Sequence, residues 1–247
     1  VESGEPVYGI NTGFGIFADR RISKQDAARL SRNLILSHAV GTGPELPAEV
    51  VRAAMLIRAN TLARGNSGVR PAIIDTLLAM LDQDVTPIIP SQGSLGSSGD
   101  LAPLSHLALV LTTDPDDREE DSGWAVYRGQ RMSGKAAMQA AGLKRITLGG
   151  KEGLALSNGA TFSAAIAALA VGDACKLLSV ASLSLAMSLE ALLGVPTAFD
   201  ERIHQARQFQ GQIEIAHQVL ALTQGSTLLN ADGRIQDAYS LRCAPQV

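Results

Sequence analysis

The sequence predicts a mainly α-helical protein, and three observations support this prediction. Hydrophobic residues make up 46% of the 247 residues but aromatic residues only 4%, and Ala and Leu, both strong helix formers, dominate the apolar share. Several segments of helical length carry apolar residues at helical spacing and end at Gly or Pro. The pattern after Leu154 is helical almost throughout, with breaks expected at Gly159, Gly172, residues 194–196 and Gly225.

The first 150 residues predict shorter helices that are separated by loops. Residues 1–22 are glycine-rich and irregular, and a helix follows in which Ser23 and Asp26 form a capping box. The helices that we expect here span residues 23–38, 48–64, 71–81, 100–111 and 135–141. An acidic loop at 114–123 and a small hairpin at 124–132 lie between the last two. A boundary at Gly149-Gly150 is expected to separate an N-terminal domain, 1–150, from long helices in a second domain, 151–247.

Charge and cysteine content argue against several classes of partner. The net charge is −3 and no basic tract is present, so nucleic acid is not an expected partner. Cys175 and Cys243 lie far apart without metal-ligand spacing, which favours free thiols in a reducing cytoplasm. His204 and His217 lie in polar, Gln-rich segments and are expected at the surface, so no metal site is predicted.

The most apolar stretch, residues 160–193, is expected to be a core helix rather than a membrane span. Asp173, Lys176 and Glu190 interrupt it, and its longest uncharged piece is shorter than the roughly 20 residues that cross a bilayer. A helix that is apolar nearly all round is typical of a position that is covered on every side. We therefore expect no membrane partner.

Residues 93–106 carry the most specific chemical signal, Gly-Ser-Leu-Gly-Ser-Ser-Gly-Asp-Leu-Ala-Pro-Leu-Ser-His. Within it, Ser97-Ser98-Gly99 has the residue types that a backbone cyclisation needs. The amide nitrogen of Gly99 can attack the carbonyl carbon of Ser97, because glycine has no Cβ that blocks the strained approach. Loss of water from Ser98 then leaves a methylidene group, which is a strong electrophile. For an isolated Ser-Ser-Gly, a simple turn would be the better interpretation.

The whole fourteen-residue run resembles the loop of the ammonia-lyases that use a methylidene-imidazolone (MIO) group and deaminate histidine, phenylalanine or tyrosine. The family usually has Ala-Ser-Gly, and Ser97 replaces that Ala here. Since residue 97 contributes only backbone atoms to the ring, we expect cyclisation to survive. The helix that starts near Asp100 would point its positive dipole end at the loop and sharpen the electrophile.

Three further positions in the N-terminal half acquire roles from this resemblance. Tyr8, in Tyr-Gly-Ile-Asn-Thr-Gly-Phe-Gly, is similar to the residue that takes the β-proton of the substrate, although a loop Tyr is ordinarily an edge packing residue. His38 follows Ser37 as in the histidine-specific members, where the pair helps to set substrate choice; a histidine that interacts with the helix dipole is the ordinary alternative. Asn158 resembles the Asn that contacts the prosthetic ring and substrate, whereas Asn-Gly alone indicates a turn.

The C-terminal segment Gln-Asp-Ala-Tyr-Ser-Leu-Arg-Cys-Ala-Pro-Gln-Val, residues 236–247, is the second specific match. The resemblance implies that Arg242 binds the substrate's α-carboxylate, for which its planar guanidinium is suited. Tyr239 resembles a Tyr near the ring, and Gln236 a polar contact to the substrate. Tyr239 and Arg242 would share a face if this stretch were helical. Without the resemblance, an exposed Arg paired with some carboxylate would be the better interpretation.

Taken together, the resemblance covers residues 8–247 and implies a helical domain that carries the MIO loop, followed by the start of a central helical bundle. It implies elimination of ammonia from L-histidine to give trans-urocanate in a cytoplasmic homotetramer. Family members are normally much longer, and this chain starts at Val1 and stops directly after the Arg242 motif. We therefore expect a fragment, which alone would be inactive if the active site needs several subunits.

Two alternatives stay open at this point: a phenylalanine or tyrosine ammonia-lyase or aminomutase of the same family, and a truncated, non-catalytic helical module whose role is association. The intact mass separates the second alternative from the enzymes. Ring formation at Ser97-Ser98-Gly99 removes two water molecules, so we expect a mass that is lower by that amount in mass spectrometry of the folded protein. A mass equal to that of the unmodified sequence would leave only the association module.

Overall fold

The computed structural model describes residues 5–247, and it is mainly α-helical, which confirms the predicted fold class. Its ten α-helices are α1 (Lys24–His38), α2 (Ala48–Ala63), α3 (Pro71–Asp82), α4 (Leu101–Leu111), α5 (Gly134–Ala140), α6 (Glu152–Ser157), α7 (Thr161–Ala191), α8 (Glu201–Arg207), α9 (Gln210–Leu222) and α10 (Tyr239–Arg242). Its seven strands are short: β1 (Thr42–Glu45), β2 (Thr86–Pro87), β3 (Pro90–Gln92), β4 (Thr112–Thr113), β5 (Trp124–Tyr127), β6 (Gln130–Ser133) and β7 (Ile146–Thr147).

Local signals place the first five helices within one residue of their predicted ends. The Ser23 Oγ accepts a hydrogen bond from the Asp26 backbone N–H at 3.1 Å, which is the predicted N-cap of α1. Pro71 opens α3, where its missing N–H costs nothing. The predicted hairpin is also present: β5 pairs with β6 through a turn in which Arg128 and Gly129 both have positive φ.

Two expectations for the C-terminal half are wrong. No break occurs at Gly172, because α7 continues through it; the cost of about 1 kcal/mol for a helical glycine is small beside the continuity of a 31-residue helix. Residues 224–238 were expected to be helical apart from Gly225, but they form turns. Asn230 and Gly233 adopt positive φ of 53° and 67° there, which an α-helix cannot contain.

The described chain divides into two compact units, one that ends at Leu169 and one that spans Ala170–Val247. In the first unit α1, α4 and α6 pack on one another, and α2 packs on α3. Its core includes the fully buried residues Ile35, Met55, Leu62, Leu77, Leu104, Leu107 and Met138. The predicted boundary near residue 150 stays a prediction, because the division at Leu169 falls inside the continuous helix α7.

The second unit has a small core in which Leu189, Phe199, Ala216 and Val219 are buried. His204 belongs to its interior and not to the surface as expected. The His204 ring is fully buried and hydrogen-bonded on both nitrogens, to the Gln212 amide at 2.8 Å and to the Ala198 carbonyl at 3.1 Å. The polar residues that surround His204 in the sequence are therefore its partners rather than a sign of exposure.

The stretch Glu152–Ala191 is the only one in the described part of the chain that is long and apolar enough to cross a membrane by length and composition. Within the second unit, the α7 residues Leu177, Leu178, Val180, Leu183 and Met187 are exposed. Asp173 and Lys176 form an exposed ion pair on the same helix at 3.4 Å, which a hydrocarbon environment would disfavour. The expectation of no membrane partner stays a prediction.

A buried carboxylate joins the start of α3 to the start of α6. Glu152 is 3% exposed, and its two oxygens accept hydrogen bonds from the backbone and guanidinium of Arg70 and from the Gly149 backbone at 2.6–3.0 Å. Burial alone would raise the pKa of Glu152, but the hydrogen bonds from Arg70 and Gly149 outweigh it, so the pKa lies below its usual value. This contact fixes the N-terminal end of the helix that leads to Asn158.

Replacing Glu152 with Gln should therefore lower the free energy of unfolding by about 2 kcal/mol at neutral pH, because Arg70 loses a buried charged partner. A lowered folded pKa stabilises the fold above the unfolded value near 4.3, and this contribution is lost as the pH falls through the folded pKa. In urea unfolding at several pH values, the difference between wild type and E152Q should shrink in acid. The exposed Glu120, replaced with Gln, is the control and should change stability by less than about 0.5 kcal/mol. A difference for E152Q that is independent of pH would contradict this account.

Candidate active site

A cavity of about 280 Å³ in the first unit brings together residues from two sequence motifs. His38, at the C-terminal end of α1, lines it with Ser37 and Val40. The remaining lining residues come from the 93–106 motif: Gly93, Leu95, Ser97, Ser98, Gly99, Leu101 and Ala102. The predicted specificity residue and the predicted electrophile precursor therefore share one cavity.

Two glycines bring the loop to the end of α1. A Cβ on Gly93 would lie 3.1 Å from the Cα of Gly41 and 3.0 Å from the Cβ of Ala102, and Gly93 has a φ of 148°. Next to this contact β1 pairs with β3, with Thr42 opposite Gln92. His106 on α4 accepts a hydrogen bond from the Gly41 N–H at 3.0 Å through its Nε2, and burial lowers the pKa of His106. His106 thus stays a neutral acceptor that anchors the α1–β1 turn.

Gly99 lies directly against the backbone of Asn158 and Gly159. A Cβ on Gly99 would lie 3.0 Å from the Asn158 Oδ1 and 2.5 Å from the Gly159 nitrogen, and the second distance is too short for any real side chain. Gly99 also has a φ of 133°, which L-amino acids rarely adopt. Glycine is therefore required here by space and by conformation, in addition to the requirement that cyclisation sets.

Asp100 ties this contact together with its backbone and its side chain. Its N–H donates to the Gly159 carbonyl at 2.9 Å. Its buried carboxylate accepts hydrogen bonds from the Ser94 hydroxyl at 2.7 Å, and from the Ser163 backbone N–H and hydroxyl at 2.9 and 3.0 Å. One carboxylate therefore connects the loop, the start of α4 and the first turn of α7.

The hydrogen bonds of His38 select one tautomer of its ring. Nδ1 lies 2.9 Å from the Leu34 carbonyl oxygen, which can only accept, so Nδ1 carries the proton. The Ser37 hydroxyl lies 3.0 Å from the same Nδ1 and donates to the same carbonyl. Nε2 is then a lone-pair acceptor, and no partner for it exists among residues 5–247. Nδ1 is thus bonded to a carbonyl of its own helix, and Nε2 is left available to a ligand.

Tyr8 is exposed and does not line the cavity. Its hydroxyl accepts a hydrogen bond from the Gly15 N–H at 3.3 Å, and its ring packs edge-on against Phe14. The neighbouring Gly9 packs against Leu154 of α6, where a Cβ would come within 2.6 Å of the Leu154 side chain. The Tyr8 loop therefore contacts the helix that ends before Asn158.

The other predicted site residues lie in the second unit. Tyr239 and Arg242 are on α10, and the Arg242 guanidinium stacks over the Tyr239 ring at 5.3 Å, the shared face expected for a helical stretch. The Arg242 Nε is buried and has no hydrogen-bond partner in the described chain. Gln236 and most of Tyr239 are exposed. Arg242 therefore carries an unsatisfied buried donor.

Arg58 is the buried residue of this region that the sequence analysis missed. It lies on α2 and donates to the carbonyls of Ala155 and Asn158, so it holds the turn that presents Asn158 to Gly99. The sequence of α2 gives no signal for this, because the partners of Arg58 lie about 100 residues further along the chain. The hydrogen bonds between Asp100 and Ser163 and between His106 and Gly41 likewise join residues that are distant in the sequence.

Comparison with known proteins identifies the family. The model of the aromatic amino acid lyase family matches residues 1–247, and the chain belongs to that family. Histidine ammonia-lyases of Alkaliphilus metalliredigens and Gloeobacter violaceus are 50% and 49% identical over the whole chain, which covers 48% and 47% of their lengths. The chain thus spans about half the length of the curated relatives that it matches.

Solved structures agree with this assignment. The histidine ammonia-lyase of Trypanosoma cruzi matches with a TM-score of 0.84 at 36% identity. The match covers 100% of the present chain and 44% of the Trypanosoma chain. The tyrosine aminomutase of Streptomyces globisporus matches with a TM-score of 0.89 at 34% identity, covering 99% and 49%. The resemblance inferred from the 93–106 and 236–247 motifs is therefore confirmed at the level of the family.

The close contact at Gly99 generates a prediction about stability. Gly99→Ala places a Cβ against the Gly159 backbone in a disfavoured φ region, so the free energy of unfolding should fall by about 2–4 kcal/mol. Gly96 in the same loop also has a positive φ, but a Cβ there meets open space, so Gly96→Ala should cost about 1 kcal/mol. Urea unfolding of both variants measures the difference. Equal losses would show that the backbone contact does not constrain Gly99.

Proposed function

We propose that the whole protein is an ammonia-lyase that eliminates ammonia from L-histidine and forms trans-urocanate. The observation that carries this proposal is the shared cavity of His38 and Ser97-Ser98-Gly99, because it combines a group suited to imidazole with the precursor of an electrophile. Relatives that are named histidine ammonia-lyases and share about half of the residues support the same substrate.

The cofactor that we propose is an MIO group formed from Ser97-Ser98-Gly99. When present, the group supplies an electrophile that captures the substrate amine and converts it into a better leaving group. The residues fit it: Gly99 has no space for a Cβ, and the exposed Ser98 lines the cavity with its hydroxyl free to leave. Ser97 needs no particular side chain, since only its backbone enters the ring.

His38 is the residue to which we assign recognition of the substrate imidazole. Its Nδ1 proton is held by the Leu34 carbonyl, so its Nε2 accepts a hydrogen bond from an imidazole N–H. A phenyl ring offers no donor at that position, so Nε2 would lose this partner on binding phenylalanine, whereas the O–H of a phenol can still donate to it. The tautomer of His38 therefore favours histidine over phenylalanine, and the preference for histidine over tyrosine is supported by the names of the relatives.

The roles of the remaining residues follow from the family resemblance. Tyr8 takes the β-proton of the substrate, Asn158 orients substrate and ring, and Arg242 binds the α-carboxylate through its fork of donors. Tyr239 lies near the ring, and Gln236 makes a polar contact to the substrate. The contact between Asn158 and Gly99 and the unsatisfied Nε of Arg242 support two of these assignments.

We further propose that the whole protein is a cytoplasmic homotetramer with no nucleic-acid or membrane partner. The net charge of −3 and the free cysteines are consistent with that location and set of partners. The apolar side chains exposed along α7 support association, since patches of this kind mark surfaces that become covered.

The test compares two adjacent serines in the whole protein. Ser98→Ala removes the hydroxyl that must leave, so urocanate formation, followed by its near-UV absorbance, should fall at least a thousandfold. Ser97→Ala restores the residue that is usual in the family and should keep activity within about threefold, which makes it the matched control. Full activity in S98A, or turnover of phenylalanine or tyrosine in preference to histidine by the wild type, would refute the proposal.

A further inference from the structure

Arg58 is a buried cation without an acidic partner. It is 3% exposed, and among residues 5–247 its guanidinium contacts no carboxylate. Its acceptors are the carbonyls of Ala155 and Asn158, the latter at 2.6 Å, and the Thr161 hydroxyl at 3.4 Å. Burial lowers the pKa of Arg58 to about 10, so the group stays charged at neutral pH.

The other buried arginines of the first unit differ in this respect. Arg32 forms a salt bridge with Asp117 at 2.6 Å, and Arg145 lies 3.8 Å from the same carboxylate. A buried charge without a counter-ion is expensive, and neutral carbonyls offset only part of that cost. Packing alone therefore does not explain why a charged residue occupies the position of Arg58.

One peptide group connects Arg58 to the loop. The Asn158 carbonyl oxygen accepts from Arg58 Nη2, and the nitrogen on the other side of the same peptide bond, in Gly159, lies 2.5 Å from the point where a Gly99 Cβ would be. A cationic donor on the oxygen polarises the amide and makes its N–H more positive. The polarised Asn158–Gly159 peptide therefore lies directly beside Gly99.

Close packing between Arg58 and Gly159 also holds this peptide in place. A Cβ on Gly159 would lie 2.4 Å from Arg58 Nη1, so the guanidinium packs directly against Gly159. The Gly159 carbonyl in turn accepts from the Asp100 N–H at 2.9 Å. The turn is thus held between α2 and the loop.

We propose that Arg58 is a positioning residue for ring formation at Ser97-Ser98-Gly99, an inference that rests on the proposed function. It holds the Asn158–Gly159 peptide against Gly99 and places a positive field at the Gly99 nitrogen. That field lowers the cost of removing the amide proton from Gly99, and the rigid turn keeps Gly99 at its unusual φ of 133°.

The covalent step balances without any oxidant or co-reactant. A bond forms between the Gly99 nitrogen and the carbonyl carbon of Ser97, and the carbonyl oxygen leaves as water with the amide protons of Gly99 and Ser98. Ser98 then loses its hydroxyl and its Cα proton as a second water. Arg58 touches none of these atoms and acts through Asn158 and Gly159.

The experiment uses the whole protein with Arg58→Met, Arg58→Lys and a matched control. Arg145→Met is that control, because Arg145 is also a buried guanidinium that donates to backbone carbonyls, those of Leu109 and Val110, and burial also lowers its pKa to about 10. Intact mass gives the fraction of purified chains that have lost two water molecules. Thermal unfolding, kcat and KM are measured on the same samples.

We expect wild type and R145M to be fully cyclised, even if R145M unfolds at a lower temperature. The cyclised fraction should fall at least tenfold in R58M and at least threefold in R58K, because one ammonium keeps the charge but cannot reach all three acceptors. The chains that do cyclise in R58K should show a lower kcat with little change in KM.

The outcomes separate this inference from the proposed function. An uncyclised wild type would refute both. A cyclised wild type together with folded R58M that is also fully cyclised would overturn the role of Arg58 alone. If R58M does not fold, R58K decides: full cyclisation in R58K, or an equal loss of cyclisation in R145M, would overturn it.

Discussion

The candidate site depends on one close approach between two segments of backbone. The loop at Gly99 lies against Asn158 and Gly159 at distances that exclude any side chain, and the hydrogen bond from Asp100 to the Gly159 carbonyl draws the two segments together. The start of α4, the end of α6 and the start of α7 all meet at this contact. Any movement of one helix would therefore change the geometry of the Ser97-Ser98-Gly99 loop.

Local patterns in the sequence were sufficient for the first five helices and for the family to which the motifs belong. Caps, prolines and apolar spacing placed α1 to α5 within one residue, and the shared cavity of His38 and the loop agrees with roles inferred from the motifs. The patterns failed where local and extended structure compete. Gly172 is a poor helix residue, but its small cost does not interrupt a 31-residue helix. The turn-forming residues of 224–238 do not lie within a long helix, and there they form turns.

The residues that support the site were beyond local prediction because their partners are distant in the chain. Local capping rules assign Asp100 to its own helix, since it occupies the N-cap of α4. In the structure its carboxylate instead accepts from Ser163, 63 residues later, and makes no capping bond to α4. Arg58 reaches carbonyls about 100 residues away in the same manner. Only the tertiary fold brings these groups together, so no spacing rule could identify them.

The hydrogen bonds of the Asp100 carboxylate affect the backbone N–H groups that lie beside the loop. Because its carboxylate turns to Ser163 and Ser94, it leaves the first N–H groups of α4, those of Leu101 and Ala102, without an acceptor in the described chain. Both residues line the cavity beside Ser98, so their N–H groups at the positive end of α4 lie next to the loop. A side-chain cap on α4 would have satisfied those N–H groups, and in our proposal Arg58 adds positive charge beside the loop through the Gly159 peptide. On this proposal the free N–H groups of α4 and the buried guanidinium act in the same direction, and both favour electron density that accumulates at the loop.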